Sequence, residues 1–301
     1  MEWPSQHDNK MQIKYYEYEA NEAKSLLQFY IDLNSEGLLF NRLVLVESNF
    51  TMQEWNKFVN FIKHLFTPIV KRVRIWDAGL CSADTELKPH EIPKLLEKSL
   101  MRLFRAIETR SGLLELDIQH VSLGASAMTG LGRVLATVKH LKRLTFISEA
   151  TDSSEMQHLV ESMNSNEGIQ LESLVFYGLN LGSFETSRAL AHFLGKQRRL
   201  KVVRLQECNL QGKALFALVT QLRKSHSIRT LQKLFLSLNA LDTHEVVVTL
   251  CGLVKDATQL KSLCTFYTGV IIKWAGNDEA SASVIVAFGE KKNDELFRLQ
   301  R

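Results

Sequence analysis

The sequence predicts an α/β fold in which strand–turn–helix units stack side by side into a solenoid. Two observations predict this fold class. An 11-residue apolar pattern recurs at nearly constant intervals, and between its copies the apolar spacing changes from two residues to about 3.6, as expected where a strand gives way to a helix. A strand or a helix alone exposes one apolar face, so the units must stack to bury these faces in one core.

The apolar pattern is clearest in the second half of the chain. Three segments align without gaps: LESLVFYGLNL, LKVVRLQECNL and LQKLFLSLNAL. Each has apolar residues at relative positions 1, 4, 6 and 11, and the last two carry Cys208 and Asn239 at position 9. The eight copies of the pattern begin at Phe40, Val70, Leu113, Leu141, Leu171, Leu200, Leu231 and Leu260.

The copies are separated by 30, 43, 28, 30, 29, 31 and 29 residues. Six of these seven intervals lie near one value, and the exception indicates an insertion between the second and third copies. The insertion, roughly residues 82–96, contains Pro89 and Pro93 among charged residues and predicts a loop before a helix. Such insertions commonly lie on the binding side of a repeat protein, and a tolerated surface bulge is an equal alternative.

Helical spacing of apolar residues appears between the copies. In residues 185–194, Ala189, Leu190, Phe193 and Leu194 follow it. The same spacing predicts helices over residues 53–66, 92–107, 127–138, 156–163, 213–222 and 244–254.

The spacing LxxLxLxx(N/C)xL resembles the leucine-rich repeat, and a period near 29 with a helix in every unit resembles the ribonuclease-inhibitor-like class of that family. The resemblance covers residues 40–270. It implies a horseshoe-shaped solenoid with a parallel β-sheet on the concave face and helices on the convex face. Leucine-rich repeats host many functions, so a function must be argued from a site.

The two ends of the chain are predicted to cap the solenoid. Residues 1–39 form the N-terminal helical cap, because residues 14–33 have the apolar face of a helix. Residues 271–301 form the C-terminal cap and a charged tail. Two β-branched runs, 270–274 and 284–288, flank the turn signal Gly276-Asn277-Asp278 and predict a hairpin or a last strand, whereas residues 290–301 predict a short helix or a disordered tail.

Composition excludes several classes of protein. With 301 residues, 45% of them hydrophobic, the chain has enough apolar material for a large core. It has no apolar run of about 20 residues, and its first residues lack a secretory signal, so a cytoplasmic protein is predicted, in the host cytoplasm if it is a secreted effector. Four cysteines without a CxxC pair predict neither disulfides nor zinc. A formal charge of +4 does not favour a nucleic-acid partner.

The sequence contains none of the common catalytic motifs. His244-Glu245 begins like a zincin motif, but no second histidine follows one helical turn later. Glu115 and Asp117 point to the same side of one strand and are either an acid–base pair or part of a charged face, which we favour. We therefore predict no enzyme, no catalytic or metal-binding residue, no cofactor and no small-molecule substrate.

The cysteines divide into two kinds. Cys208 occupies position 9, where it is predicted to turn inward, satisfy the turn as Asn does, and be unreactive. Cys264 occupies position 5 of the last copy, where it faces solvent if that strand follows the pattern.

Strand alternation predicts that positions 4 and 6 enter the core and that positions 3, 5 and 7 point outward. The outward positions are rich in large side chains of the kinds that dominate protein interfaces. We predict a protein-binding site on the concave face, unless a segment of the same chain covers it. Its residues are Arg74, Trp76, Asp117, Gln119, Tyr177, Arg204, Phe235 and Phe266.

Basic residues also cluster near strand starts. They predict either a stripe that meets an acidic partner or phosphate-bearing surface, or ordinary compensation of helix C-termini. The clustered residues are Lys71, Arg72, Arg74, Lys139, Lys142, Arg143, Lys196, Arg198, Arg199, Lys201 and Arg204.

The leading functional hypothesis is a non-enzymatic protein–protein interaction module that binds another protein, as yet unidentified, through its concave sheet. A secreted bacterial effector and a host-defence or regulatory scaffold are two versions of it. The alternative is a structural subunit of a larger multiprotein assembly. A third hypothesis, regulation of a nucleotide-binding partner such as a small GTPase, needs a positioned Arg or Asn that the sequence does not single out.

Overall fold

The computed structural model describes residues 42–46, 49–50, 72–76, 79–80, 92–108, 112–148, 151–241, 243–265, 270–275, 283–288 and 297–300. The predicted N-terminal helix 14–33, the predicted helix 53–66, Cys81 and Phe266 lie outside these residues. The chain divides into two compact units, Met1–Leu141 and Lys142–Arg301, which are taken in turn.

The first unit contains three parallel strands, β1 (Arg42–Val46), β3 (Arg72–Trp76) and β5 (Glu115–Gln119), with β3 in the middle. Two short strands, β2 (Asn49–Phe50) and β4 (Gly79–Leu80), pair with each other in parallel.

Two helices accompany these strands, α1 (Ile92–Glu108) and α2 (Ala125–Thr137). They pack closely, because a Cβ on Gly130 of α2 would lie only 3.3 Å from the Cβ of Phe104 of α1. The helix α1 begins at Ile92, as the predicted helix 92–107 does, so residues 92–96, which the predicted insertion also included, are helical. Pro93 is compatible with the first turn of a helix, where the missing N–H would have no intrahelical acceptor.

The second unit alternates strands and helices, so its class is α/β, as predicted. The elements are β6 (Arg143–Ile147), α3 (Ser153–Ser165), β7 (Ser173–Tyr177), α4 (Phe184–Lys196), β8 (Val202–Gln206), α5 (Gly212–Lys224), β9 (Lys233–Phe235), α6 (His244–Asp256) and β10 (Ser262–Cys264). The strands β6 to β10 lie side by side in chain order and are parallel. Each helix from α3 to α5 packs against the next helix in the chain.

Strand register in the second unit brings equal positions of successive copies together. Thr145, Val175, Arg204, Phe235 and Cys264 form one continuous row across the five strands. The position 4 and position 6 side chains of β6 to β8 are at most 1% exposed, and those of positions 3, 5 and 7 are partly or fully exposed. The predicted alternation is therefore confirmed in these strands.

Local side-chain bonds explain where three of the helices start. The carboxylate of Asp152 accepts a hydrogen bond from the N–H of Ser154 and forms a capping box with Glu155. Ser183 and Thr243 accept hydrogen bonds from the N–H groups of the third helical residues of α4 and α6. Each bond satisfies a donor that the helix itself leaves without an acceptor, which fixes the helix start. All six helices predicted after residue 91 are present, with α3 the most extended beyond its predicted bounds.

The turns that follow β8 and β9 are linked by the residue at position 9 of the later copy, Asn239. The Asn239 side chain is 4% exposed. Its Oδ1 accepts hydrogen bonds from the N–H groups of Cys208 (3.0 Å) and Leu210 (3.1 Å) in the preceding copy, and its Nδ2 donates to the carbonyl groups of Leu205 (2.6 Å) and Leu236 (2.9 Å). One buried amide thus ties two successive turns together.

The second unit ends in an antiparallel sheet of β11 (Val270–Ala275), β12 (Ser283–Phe288) and β13 (Phe297–Gln300). The two predicted β-branched runs pair with each other. The tail differs from its prediction, since residues 297–300 form a strand and not a helix or disordered segment. Their sequence, Phe-Arg-Leu-Gln, alternates apolar and polar residues with the period of a strand. Among the described residues, no helix combines the length and apolar character that crossing a bilayer requires.

Candidate binding surface

The outward side chains of the second unit form a surface that we call the strand face. It consists of the residues at positions 3, 5 and 7 of β6 to β8 and at positions 3 and 5 of β9 and β10. Tyr177, Arg204 and Phe235 of the predicted site lie on it, with Arg204 directly beside Phe235 and Tyr177 directly beside Gln206. The fold thus brings together three predicted site residues from three successive strands.

Arg204 is held on the strand face by an aromatic ring. Its guanidinium carbon lies 4.5 Å from the centre of the Phe235 ring, which is the geometry of a cation–π contact. Its Nε is buried and has no hydrogen-bond acceptor. Within the described residues, no carboxylate pairs with Arg204, so the ring orients the guanidinium and leaves its charge uncompensated.

The strand face carries only positive charge. Its charged residues in β6 to β10 are Arg143, Arg204 and Lys233, and none of the described residues at these positions is acidic. The clustered basic residues predicted from the sequence include Arg143 and Arg204 but not Lys233, because positions 5 and 7 alone were compared along the strands. Position 3, which carries Arg143 and Lys233, supplies the missing signal.

Glu172 immediately precedes β7, and its carboxylate is already paired with two lysines. It accepts a hydrogen bond from Lys201 Nζ at 3.0 Å, and Lys142 Nζ lies 3.7 Å from its carboxylate. The hydrogen bond from Lys201 lowers the pKa of Glu172, and the neighbouring positive charges add to the effect. Glu172 therefore stays ionised, and its charge is shared among Lys201, Lys142 and Arg143, the last of which lies on the strand face.

The strands of the first unit show the opposite arrangement. Arg74 Nε donates to Asp117 at 2.6 Å, and Gln119 Nε2 donates to the same carboxylate at 2.7 Å. Arg72 pairs with Glu115 at 3.2 Å. The predicted site residues Arg74, Asp117 and Gln119 are thus brought together but satisfy one another. Each acid is matched by an arginine, which favours the charged-face interpretation of Glu115 and Asp117 over an acid–base pair.

The remaining predicted site residues are placed only by the backbone or not at all. Trp76 lies on β3 in register with Gln119. Phe266 falls outside the described residues. Over the described ranges, no three His, Cys, Asp or Glu side chains approach closely enough to hold a metal ion.

Three described cysteines differ in their surroundings. Cys208 is fully buried, and its Sγ donates to the carbonyl of Gln206 at 3.2 Å, in the inward position predicted for it. Burial raises the pKa of Cys208 to about 12 and also raises the pKa of Cys251. Cys264 is partly exposed on the strand face, with its Sγ 3.1 Å from the Ser237 hydroxyl.

These differences predict the order of thiol modification. At pH 8, iodoacetamide should alkylate Cys264 at least about 10-fold faster than Cys208 in the folded protein, because the thiolate is the attacking species and Cys208 is both buried and protonated. Timed labelling followed by peptide mass mapping measures each thiol separately. Labelling in urea, where all thiols are accessible, is the control, and equal rates in the folded protein would contradict the prediction.

Comparison with known proteins assigns the chain to no family. No family model matches the chain, and no curated protein matches it. Among solved structures, it is similar to the 3,6-anhydro-D-galactonate cycloisomerase from Zobellia galactanivorans, with 10% identity and a TM-score of 0.22 over 64% of this chain and 52% of the enzyme. The chain thus matches about half the length of that enzyme. At this TM-score the likeness establishes neither a shared fold nor a shared reaction.

The comparisons give the functional hypothesis no support. The solved structure described above is an enzyme, and no family model or curated protein supports a non-enzymatic module. The predictions that the chain is not an enzyme and that it is a non-enzymatic interaction module, with their effector, scaffold and subunit versions, are therefore withdrawn. The prediction that the chain is not an enzyme depended on the absence of short catalytic motifs. A search for such motifs does not detect catalytic groups that a fold assembles from distant positions. Arg74 and Asp117, for example, meet from 43 residues apart.

Proposed function

We propose that the strand face of the second unit binds an acidic segment of another polypeptide, with Arg204 as its anchor. The observation that carries this proposal is the uncompensated Arg204 guanidinium, held over Phe235 at 4.5 Å on a face whose charges are all positive. The proposal assigns a ligand to this surface and assigns no reaction.

The chemistry of the anchor favours a carboxylate. A guanidinium presents a planar fork of N–H donors that matches the two oxygens of a carboxylate, and such charge-assisted pairs are stronger than neutral ones. The ring of Phe235 limits the rotamers of Arg204 before the ligand arrives, so less conformational entropy is lost on binding.

The extent of the surface favours a polypeptide segment. Five strands at about 4.8 Å per step span about 19 Å, and Arg143 and Lys233 lie on the same face as Arg204. A segment that crosses the strands can therefore meet more than one cation. Val175 lies beside Arg204, and Tyr177 lies beside Gln206. Both offer apolar contact area to the ligand side chains that lie between its carboxylates.

We also propose that the chain is a leucine-rich-repeat protein of the ribonuclease-inhibitor-like class, with the strand face on the concave side of a horseshoe and the helices on its convex side. The support is the period near 29 residues, the alignment of equal positions in adjacent strands, and the inward Cys208 and Asn239 at position 9.

The binding proposal predicts a specific loss on substitution of Arg204. A fluorescein-labelled octapeptide of alternating glutamate and leucine should bind the full chain at 150 mM salt, and Arg204→Ala should raise its Kd about 10-fold or more, as removal of an anchoring residue typically does. Fluorescence anisotropy measures the Kd. Arg204→Lys should recover only part of the affinity, because a lysine cannot form the bidentate pair.

Two controls make this test selective. Arg74→Ala should leave the Kd unchanged, because Arg74 is already paired with Asp117. The octapeptide of alternating glutamine and leucine should not bind, because it lacks carboxylates. The proposal is wrong if Arg204→Ala and Arg74→Ala have equal effects, or if the glutamine peptide binds as well as the glutamate peptide.

A further inference from the structure

The parallel strands of the second unit begin along one edge, and the helices that precede β7 to β10 end along the same edge. A ladder of backbone hydrogen bonds marks this line. The N–H of Glu172 donates to the carbonyl of Lys142 (2.7 Å), and the same bond recurs from Lys201 to Glu172 (2.8 Å), from Gln232 to Lys201 (2.8 Å) and from Lys261 to Gln232 (2.7 Å). The strand starts therefore form a row.

This edge is strongly basic. Between the last turn of each helix and the start of the next strand, twelve lysines and arginines are exposed, against three acids. We call these cations the basic edge: Lys142, Arg143, Lys196, Arg198, Arg199, Lys201, Arg223, Lys224, Arg229, Lys233, Lys255 and Lys261. Because the whole chain carries only +4, the excess of nine on this edge means that the rest of the chain is net negative.

Two of the three acids are already paired. Glu172 is matched by Lys142 and Lys201, and the carboxylate of Asp256 accepts a hydrogen bond from Arg223 Nε at 2.6 Å. Glu167 is the remaining acid on the described part of this edge. Apart from Lys142, Arg143, Lys201 and Arg223, the cations of this edge form no ion pair with an acid among the described residues.

Compensation of helix dipoles explains only part of this charge. Cations in the last turn of a helix stabilise its C-terminus, and the effect falls off beyond that turn. Lys196, Arg223, Lys224 and Lys255 occupy such positions. Arg229 ends the short 3-10 helix His226–Arg229. The other seven cations lie in the turns or at the strand starts, where the helix dipole supplies no reason for them.

The cations are arranged in two rows. The helices α3 to α6 have 13 residues each, and equal lengths on neighbouring parallel helices bring their ends to a similar level. One row follows the strand starts, and the second follows the ends of α4, α5 and α6, since the last turn of α3 carries no basic residue. Two such rows side by side fit a planar partner, which can meet both at once.

We propose that the basic edge binds the surface of an anionic lipid bilayer. Lysines and arginines near such a surface each add to the binding free energy, so their effects multiply in the binding constant. The described residues of this edge, 166–172, 196–202, 223–233 and 255–262, include no Phe, Tyr or Trp. Binding is therefore electrostatic and without insertion, and the edge offers no aromatic ring for stacking on nucleic-acid bases.

Vesicle co-sedimentation tests the proposal on the full chain. Vesicles of phosphatidylcholine with 30% phosphatidylserine should bind the protein at 100 mM salt, and pure phosphatidylcholine vesicles should not. The triple variant Arg198→Gln, Arg199→Gln, Arg229→Gln should lower the partition coefficient about 100-fold, at roughly a factor of five for each charge. Raising the salt to 500 mM should also release the native protein, because screening shortens the reach of each charge.

A matched variant separates the position of the charges from their number. Lys94→Gln, Lys98→Gln and Arg188→Gln remove the same three charges from the exposed surfaces of α1 and the first half of α4, and this variant should lose at most a few-fold. Circular dichroism and thermal unfolding verify that both variants fold. Equal losses in the two triple variants, or equal binding to neutral and anionic vesicles, would overturn the proposal.

Two further measurements distinguish membrane binding from binding of other polyanions and from peptide binding at the strand face. A fluorescein-labelled 20-base-pair DNA duplex is tested at the same salt. Tight duplex binding that the edge variant loses, without binding to anionic vesicles, would overturn the proposal in favour of nucleic acid. Arg204→Ala should leave vesicle binding unchanged, so the two surfaces can fail independently.

Discussion

Replacing Asn239 with alanine is expected to lower the free energy of unfolding by about 3–5 kcal/mol. The variant removes both the acceptor Oδ1 and the donor Nδ2 of an amide that bridges two successive turns. The N–H groups of Cys208 and Leu210 lose their acceptor, and the carbonyls of Leu205 and Leu236 lose a donor. Each buried polar group without a partner costs about 1–3 kcal/mol, and the costs do not simply add. Urea unfolding followed by circular dichroism measures the change.

Two variants make the Asn239 result interpretable. Asn209→Ala removes an exposed asparagine whose side chain makes one bond, of 3.3 Å, to Asn180. It should cost about 1 kcal/mol, mostly because alanine tolerates the left-handed φ of 54° at this position less well than asparagine. Asn239→Cys introduces the residue that occupies position 9 in the preceding copy. It should be less destabilising than alanine, because a thiol can donate weakly to a carbonyl as Cys208 does. A similar loss for Asn209→Ala and Asn239→Ala would show that the buried amide is not what stabilises the turn.

The second large effect is expected at Gly182. A Cβ at this position would lie 2.7 Å from the carbonyl oxygen of Asn209 and 2.7 Å from its Nδ2. A backbone carbonyl cannot move away as the end of a side chain can, so the two neighbouring turns would be forced apart. Gly182→Ala should therefore destabilise the protein by about 2 kcal/mol, within the range of overpacking substitutions. Thermal unfolding should show a lower Tm.

Gly195→Ala is the matched control for this prediction. A Cβ on Gly195 would approach the Nε2 of Gln221 at 2.5 Å, but that atom is the end of a flexible side chain and can rotate away. Gly195 also lies inside α4, where alanine favours the helix by about 1 kcal/mol. The Tm of Gly195→Ala should stay the same or rise. A drop equal to that of Gly182→Ala would mean that close approach to backbone is not the cause.

The sequence predicted the elements of the second unit well because period is a strong local signal. Leu174, Val203 and Leu234 enter the core at position 4, and each was assigned there from spacing alone. The helix spans followed from the change to helical spacing. Periodicity depends only on consecutive residues and not on contacts between distant ones, so it can be detected in a single sequence.

The turn conformation after each strand could not be predicted. At position 8, His120, Glu207 and Leu238 have φ values of 52°, 54° and 62°, and Gly178 has 71°. The left-handed region favours glycine, and only one of these four copies carries it. The backbone is held there by the stacked turns, a restraint that the residue type does not reveal.

The candidate site shows the same limit. Strand alternation placed Tyr177, Arg204 and Phe235 on one face, and register then brought Arg204 beside Phe235. Arg74 pairs with Asp117, a partner 43 residues away in the sequence. The two side chains were predicted to be available to a ligand, but each neutralises the charge of the other. Whether an outward arginine is paired or uncompensated depends on which strand lies next to it.

The amide of Asn239 has a consequence for the order in which the second unit opens. Because it bonds backward to Cys208 and Leu210, the amide hydrogens of one turn are sheltered by a side chain that belongs to the following copy. Those two hydrogens can therefore exchange with solvent when the later copy opens, even while their own strand remains paired. Cooperativity along the chain thus has a direction at this point, with the protection of residues 208–210 governed from their C-terminal side.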